Sequence, residues 1–279
     1  MKPLAGLAVV SMALNLPGPV ACARLRDLGA SVTKVEPPSG DPLEGFCPDW
    51  YRRLREGMDV RRLDLKSAEG LRDLDALVAA ADLFVTAQRP AALARLGLDA
   101  PSLAKRHPRL CWLAITGYGA PNEEKAGHDL TYLAERGLVA PPALPATLFA
   151  DMAGAERAVS TALALLHARD RDGRGASAEV PLAEAAAFLA QPLEEGLTRP
   201  GALLGGGLAA YNLYEAADGW IAVAALEPHF ARRIAEAFGL DALTRPALAS
   251  RFAAQGVAHW ERWAAELDLP VVAVRFPSP

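Results

Sequence analysis

The sequence has few of the features that mark secreted, metal-binding or nucleic-acid-binding proteins. Its three cysteines, Cys22, Cys47 and Cys111, are odd in number and widely spaced without a CxxC pair, so they predict neither a disulfide framework nor a zinc site. The formal net charge is −4, which gives no positive field for nucleic acid or anionic lipid. No apolar run approaches the ~20 residues of a membrane span. We therefore expect a cytoplasmic protein with no nucleic-acid, membrane or metal partner.

What the chain does contain is an alternation of apolar strands and helical segments. The apolar opening lacks a signal-peptide cleavage site and predicts a buried strand, and four further strands with intervening helices follow it. This pattern is typical of a doubly wound α/β fold with a parallel sheet. The predicted strands lie at residues 6–14, 30–36, 63–66, 82–87 and 110–119, with 37–62 predicted to be irregular.

The carboxyl ends of these strands predict a binding site, because ligands of open parallel sheets bind outside those ends. Three of the residues there are cations, which suits a phosphorylated ligand; the alternative is that they are only solvated surface charges. The predicted binding residues are Lys34, Glu36, Leu65, Lys66, Gln88, Arg89, Gly117 and Tyr118.

A nicotinamide dinucleotide is a less suitable ligand. Glu36 stands where nicotinamide enzymes keep the acid that binds the ribose. The turn before the first helix, however, carries only Gly18 and not the GxGxxG sequence that cradles a pyrophosphate. The incomplete motif disfavours NAD.

Two groups that can carry protons stand at the starts of helix-like segments in the stretch 127–154. They are His128 and Asp151, and histidine and carboxylate are the side chains whose pKa values are most readily brought near neutrality. The simpler alternatives are a structural histidine and an N-cap aspartate with a depressed pKa. Glu227, which precedes a proline, could likewise only open a helix.

Short sequence blocks follow one another along nearly the whole chain. They include GASVTKVEPPSGDP, LDLKSAEG, ITGYG, AGHDLTY, DMAG, GRGASAEVPLAEA, YNLYEAADGWIAVAALEPHF and HWERWAAELDLPV. Single blocks are weak signals, but their joint occurrence in this order resembles the class III CoA-transferase (CaiB/BaiF) family.

This resemblance implies the architecture and the ligand. It implies a large Rossmann-like domain over residues 1–200 and a smaller α/β domain over 201–279, shortened relative to the family. It also implies coenzyme A or acyl-CoA as substrate, with no covalently bound cofactor. The expected assembly is a homodimer whose two chains interlock.

Within the family, the match of three residues favours the racemases over the transferases. Racemases carry the histidine of GHD, the aspartate of DMAG and a glutamate in a motif like ALEPHF, which here are His128, Asp151 and Glu227. Inverting a carbon beside a thioester needs a base on one face and an acid on the other. We assign these roles to His128 and Asp151, with Glu227 hydrogen-bonded to the histidine. The alternatives are a CoA-transferase with Asp151 as nucleophile and a catalytically silent CoA-binding or dimerisation module.

Two shorter patterns concern the second domain. Gly205, Gly206 and Gly207 predict either a lid over the active site or a flexible linker. Asp218 and Gly219 between two apolar runs predict a hairpin.

Overall fold

A computed structural model describes residues 1–275 of the chain. The chain divides into two compact units, one of residues 1–190 and the other from residue 191 onward. The predicted domain limit, between 200 and 201, lies later in the chain, and it stays a prediction about independent domains.

The first unit contains a sheet of six strands that pair in parallel throughout. Its strand order, β3-β2-β1-β4-β5-β6, is that of a Rossmann fold, with the change of direction between β1 and β4. The predicted parallel α/β sheet is thus confirmed. The strands are β1 (Ala8–Ser11), β2 (Ser31–Glu36), β3 (Asp59–Arg62), β4 (Leu83–Thr86), β5 (Cys111–Thr116) and β6 (Ser177–Pro181).

Successive residues of the central strands bury their side chains on opposite faces of this sheet, as the two-residue period of a strand requires. Val9 packs in the core on one face of the sheet, whereas Val10 packs in the core on the opposite face. Both faces are therefore covered by helices. These are α1 (Pro17–Asp27), α2 (Pro42–Phe46), α3 (Pro48–Arg55), α4 (Ala68–Ala79), α5 (Pro90–Leu96), α6 (Ala100–Arg106), α7 (Asp129–Glu135), α8 (Phe149–Asp172) and α9 (Leu182–Glu194).

The region 37–66 differs from its prediction. The stretch 37–62 is not irregular, because it contains α2, α3 and the edge strand β3, while residues 63–66 form the turn that leads to the N-cap Ser67. The edge strand has the sequence DVRR and pairs only with β2. An edge strand that is largely exposed to solvent has no need of the apolar pattern that reveals a buried strand.

The second unit is a small antiparallel sheet packed on three helices. The predicted hairpin is confirmed: β7 (Tyr211–Ala216) and β8 (Gly219–Ala224) are joined by Ala217 and Asp218, and β9 (Val271–Ala273) pairs with β8. The helices are α10 (Pro228–Phe238), α11 (Arg245–Phe252) and α12 (Val257–Glu266). Across residues 1–275, none of the helices combines the length and apolar character that crossing a membrane requires.

A buried ion cluster lies at the end of β2. The ammonium of Lys34 is 2.6 Å from Glu36 Oε1 and 2.7 Å from Asp41 Oδ2, and all three side chains are almost fully buried. The hydroxyl of Tyr51 on α3 donates to the same Glu36 oxygen at 2.7 Å. Lys34 is therefore neither a free strand-end charge nor a solvated one, which corrects its predicted place among cations facing a ligand. Its charge neutralises two carboxylates inside the protein.

Removal of this lysine should destabilise the fold strongly. In Lys34→Ala, two buried carboxylates lose their counter-charge, so we expect the free energy of unfolding to fall by about 3–5 kcal/mol. Urea denaturation measures it. The matched control is Lys66→Ala, an exposed lysine, which should change stability by less than about 0.5 kcal/mol. Equal stability of the two variants would contradict a structural role for the cluster.

Candidate active site

His128 is held at the start of α7 by its backbone. It is the residue before the helix, in an extended conformation; its N–H donates to Thr131 Oγ1 at 3.0 Å, and the Thr131 hydroxyl donates to its carbonyl oxygen at 2.7 Å. These reciprocal bonds satisfy groups at the helix terminus. The residue is exposed, so the imidazole is accessible to a ligand from a fixed backbone position.

Asp151 lies close by, because an aspartate links the two helix starts. Asp129, the first residue of α7, is buried, and its Oδ1 accepts the backbone N–H of Asp151 at 3.0 Å. Asp151 itself is half-buried in the first turn of α8. The hydrogen bond thus places Asp151 beside the residue that directly follows His128.

The pKa of Asp151 distinguishes two expectations, a value near neutrality and the depressed value of an N-cap residue. The helix begins at Phe149 after Leu148, so Asp151 is not its N-cap. Burial first, and then the negative charge of Asp129, raise the pKa of Asp151 to about 7, whereas an N-cap role predicted a depressed pKa. Asp151 therefore exchanges a proton near neutral pH.

Two tyrosines close this part of the site. The rings of Tyr118 and Tyr132 meet edge to face with centroids 5.2 Å apart. A Cβ on Gly117 would lie 2.6 Å from the Tyr132 hydroxyl, so the backbone approaches the phenol as only glycine permits. Burial, followed by the charges of Tyr118 and Asp151, raises the pKa of Tyr132 to about 12. Tyr132 consequently remains a protonated phenol at physiological pH.

Sequence reasoning missed Asp129 and Tyr132. They are three residues apart on α7 and so lie on one face of the helix. This spacing directly after His128 could have indicated them. Their partners, Asp151 and Tyr118, come from other segments of the chain, however, and the sequence pattern does not predict these contacts.

A second part of the site is a cavity of about 660 Å³ at the carboxyl ends of β1 to β4. It brings together four of the predicted residues, Glu36, Leu65, Lys66 and Gln88, beside the apolar Met12. This is the crevice in which open parallel sheets bind ligands. Its size suits an organic ligand, whereas no group of three or more His, Cys, Asp and Glu side chains that could hold a metal ion occurs in residues 1–275.

The other predicted binding residues lie outside this cavity lining. Arg89 is exposed at the N-cap position of α5, and Gly117 and Tyr118 lie with the His128 and Asp151 group. Within the cavity, Gln88 has a structural role, because its Nε2 donates to the carbonyl oxygen of Met12 at 2.7 Å and so joins the ends of β1 and β4. Its side chain shapes the cavity wall.

Glu227 and the glycine-rich segment belong to the second unit. Glu227 is exposed at the N-cap position of α10, directly before Pro228. Its hydrogen bond to His128 stays a prediction. The segment Leu203–Gly207 is a tight turn in which Gly205 and Gly206 have non-helical backbone angles. A Cβ on Gly205 would lie 1.8 Å from the Arg199 carbonyl oxygen. The glycines thus allow a tight local turn, and a role as lid or linker also stays a prediction.

Comparison with known proteins identifies the class to which this α/β chain belongs. The family described as CoA-transferase family III matches residues 4–275. The chain belongs to this family, as its sequence motifs indicated.

Individual relatives include both kinds of enzyme in their names. The chain is 31% identical to "Alpha-methylacyl-CoA racemase" of Mus musculus, over 87% of this chain and 66% of that protein. It is 32% identical to "Cinnamoyl-CoA:phenyllactate CoA-transferase" of Clostridium sporogenes, over 70% of this chain and 54% of that protein. The chain therefore spans about two thirds of the racemase and about half of the transferase.

Solved structures show the same fold. The crystal structure of a hypothetical protein from Mycobacterium tuberculosis superimposes with a TM-score of 0.86 at 24% identity, covering 99% of this chain and 85% of that one. At this level of identity the likeness concerns the fold alone.

The raised pKa of Asp151 predicts a pH-dependent gain in stability when its charge is removed. The pKa is about 7 in the folded chain against an ordinary value of 3.8, so the folded state holds this proton more tightly and stability falls as the pH rises between those values. Asp151→Asn should therefore be more stable than wild type by about 1–4 kcal/mol at pH 8 and nearly equal at pH 4. Urea denaturation at both pH values measures the difference.

The control for this experiment lies at the other end of α8. There, a hydrogen bond from Arg171 lowers the pKa of the exposed Asp172. Asp172→Asn should bring no gain at pH 8. If both variants change the free energy of unfolding at pH 8 equally, burial does not raise the pKa of Asp151.

Proposed function

We propose that this chain is an acyl-CoA racemase or epimerase that inverts the α-carbon of a 2-methylacyl-CoA through an enolate. The observation that carries the proposal is the half-buried Asp151, whose pKa is about 7 and which is tied through Asp129 to the start of the His128 helix. An acid–base group is most effective when its pKa lies near the working pH. The relative named as a racemase supports this choice.

The proposed chemistry is a proton transfer on each face of a planar enolate. One of His128 and Asp151 removes the α-proton of the thioester, and the other, in its protonated form, returns a proton to the opposite face. The roles exchange when the other epimer reacts. Glu227 is proposed to accept a hydrogen bond from His128 and thereby stabilise the imidazolium.

The proposed CoA-binding site combines the cavity at the carboxyl ends of β1 to β4 with the cations beside it. Lys66 lines the cavity and is exposed enough to meet a phosphate. Arg89, which follows the end of β4, is proposed as a second phosphate contact. Gly117 and Tyr118 are proposed to lie where the thioester end would reach the acid–base pair. Leu65 and Gln88 contribute to the cavity wall.

CoA transfer is the second candidate, with Asp151 as a nucleophile that forms an acyl anhydride. The relative named as a CoA-transferase supports it. A nucleophile must be ionised to attack, and a carboxyl with a pKa of about 7 is only partly ionised at neutral pH. That property favours the proton-transfer role. A silent CoA-binding or dimerisation module is the third alternative, and the following experiment separates all three.

Isotope exchange should show which epimer's α-proton is removed by His128 and which by Asp151. Each epimer of a 2-methylacyl-CoA is incubated with the protein in deuterated water, and mass spectrometry follows deuterium at the α-carbon. We expect His128→Ala and Asp151→Asn each to slow inversion by about 10²–10⁴-fold. Each variant should still exchange the α-proton of one epimer, a different one in each case, because the remaining base is intact. Glu227→Gln should slow the exchange that depends on His128.

The control variant is Asp172→Asn, which should exchange and invert at the wild-type rate. If Asp151→Asn abolishes CoA transfer to added carboxylates while His128→Ala has little effect, the protein is a transferase. Absence of both exchange and transfer in the wild type would support the silent module.

CoA affinity should depend on Lys66. Loss of a charge-assisted contact to phosphate should weaken CoA binding to Lys66→Ala by about 1.5–3 kcal/mol. Calorimetric titration measures this, with Lys105→Ala, another exposed lysine, as control. Unchanged affinity of the Lys66 variant would make this residue a solvated surface charge.

We also propose the interlocked homodimer of the family. Large apolar side chains of the first unit are exposed in the single chain, among them Phe149, Leu163 and Phe188, and such side chains are typical of an interface. If the two chains thread through each other, dissociation requires partial unfolding. Light scattering should therefore find a dimer at every protein concentration, and a stable folded monomer would exclude the interlock.

A further inference from the structure

One carboxylate oxygen at the carboxyl end of β2 is buried without a hydrogen-bond partner among the described residues. Glu36 is 1% exposed, and its Oε1 accepts from both Lys34 and Tyr51. Its other oxygen, Oε2, has no hydrogen-bond partner, and Arg62 Nε stands 3.7 Å from it. The same residue lines the cavity at the carboxyl ends of β1 to β4. An acceptor without a partner thus lies at the wall of this cavity.

The chemistry of this oxygen restricts what it binds. A buried polar group without a partner is unfavourable, so a ligand that supplies one gains from it. An ionised carboxylate only accepts hydrogen bonds, and it repels a phosphate oxygen placed against it. The complementary ligand group is therefore a hydrogen-bond donor. Because Lys34 and Arg62 already balance the charges of Glu36 and Asp41, a neutral donor such as a hydroxyl or an amino group suffices.

The position of Glu36 in the sheet favours a hydroxyl over an amino group as this donor. It is the last residue of β2 in a sheet of order β3-β2-β1-β4-β5-β6. In that topology an acid at the end of the second strand accepts from a ribose hydroxyl of a bound nucleotide. The apolar side chains of Met12, Leu14 and Leu96 in the same cavity provide a surface for an adenine ring.

We infer that Glu36 Oε2 accepts a hydrogen bond from the ribose 2′-hydroxyl of the adenosine part of CoA, and that Glu36 thereby selects ribonucleotide ligands. The inference rests on the proposed CoA-dependent function. CoA carries its phosphate on the 3′-oxygen and leaves the 2′-hydroxyl free as a donor. The Arg62 guanidinium beside Oε2 offsets the repulsion between this carboxylate and the neighbouring phosphate.

Three ligands test the inference on the wild-type chain. They are CoA, its 2′-deoxyribose analogue and an analogue in which hypoxanthine replaces adenine and so removes the amino group. Calorimetric titration should show the deoxy analogue binding more weakly than CoA, on the order of 10- to 100-fold. The hypoxanthine analogue should bind within about twofold of CoA, because its ribose is intact. This comparison needs no variant, so it does not depend on a mutant folding.

Two variants then assign the effect to one oxygen. Glu36→Gln keeps the side-chain shape and replaces the charged acceptor by a neutral amide, so it should discriminate between CoA and the deoxy analogue less than wild type does. Tyr51→Phe is the matched control, because it removes a hydrogen bond to the other oxygen of the same carboxylate. It should retain the wild-type ratio between the two ligands.

The inference is overturned, and the proposed function kept, if wild type binds CoA and its deoxy analogue equally. The same conclusion follows if only the hypoxanthine analogue loses affinity, or if Glu36→Gln folds and discriminates between CoA and its deoxy analogue as strongly as wild type does. Failure of the wild type to bind CoA at all would instead remove the proposed function, and this inference with it.

Discussion

The hydrogen bond from the Asp151 amide to the Asp129 carboxylate fixes the geometry and the electrostatics of the candidate site together. It holds the starts of α7 and α8 side by side, although 22 positions separate the two aspartates in the chain. It also brings a second negative charge close to a half-buried carboxyl, which raises the pKa of Asp151. One contact thus positions Asp151 and adds to the larger effect of burial on the pKa of this group.

Two clusters of carboxyl groups in the first unit have opposite electrostatic surroundings. At the end of β2, a buried lysine lies between Glu36 and Asp41 and neutralises them. At the helix starts, burial and a second carboxylate instead favour the protonated form of Asp151. The first arrangement supports the fold, while the second costs stability at neutral pH, a cost often found where function requires a perturbed group.

The sequence predicted the buried strands well because their residues are apolar and bounded by turn signals, as in Leu83–Thr86 and Cys111–Thr116. It failed for the edge strand Asp59–Arg62, where solvent exposure removes the pattern. It named His128 and Asp151 as candidate proton carriers, but it took Asp151 for an N-cap residue and Lys34 for a ligand-facing charge. The error for Lys34 arises because its partners Asp41 and Tyr51 belong to a stretch that was predicted to be irregular.

The tight packing around Tyr132 restricts how this family member can change during evolution. A Cβ on Gly117 would lie 2.6 Å from the phenol oxygen, and one on Gly127 would lie 2.5 Å from the ring. The two glycines lie on either side of an intervening loop, yet the same aromatic side chain excludes larger residues from both. A Cβ on Gly127 would also lie 2.7 Å from the Tyr118 ring. A side chain can therefore be accepted at Gly117 after Tyr132 has been replaced by a smaller residue, whereas acceptance at Gly127 requires a change of both tyrosines.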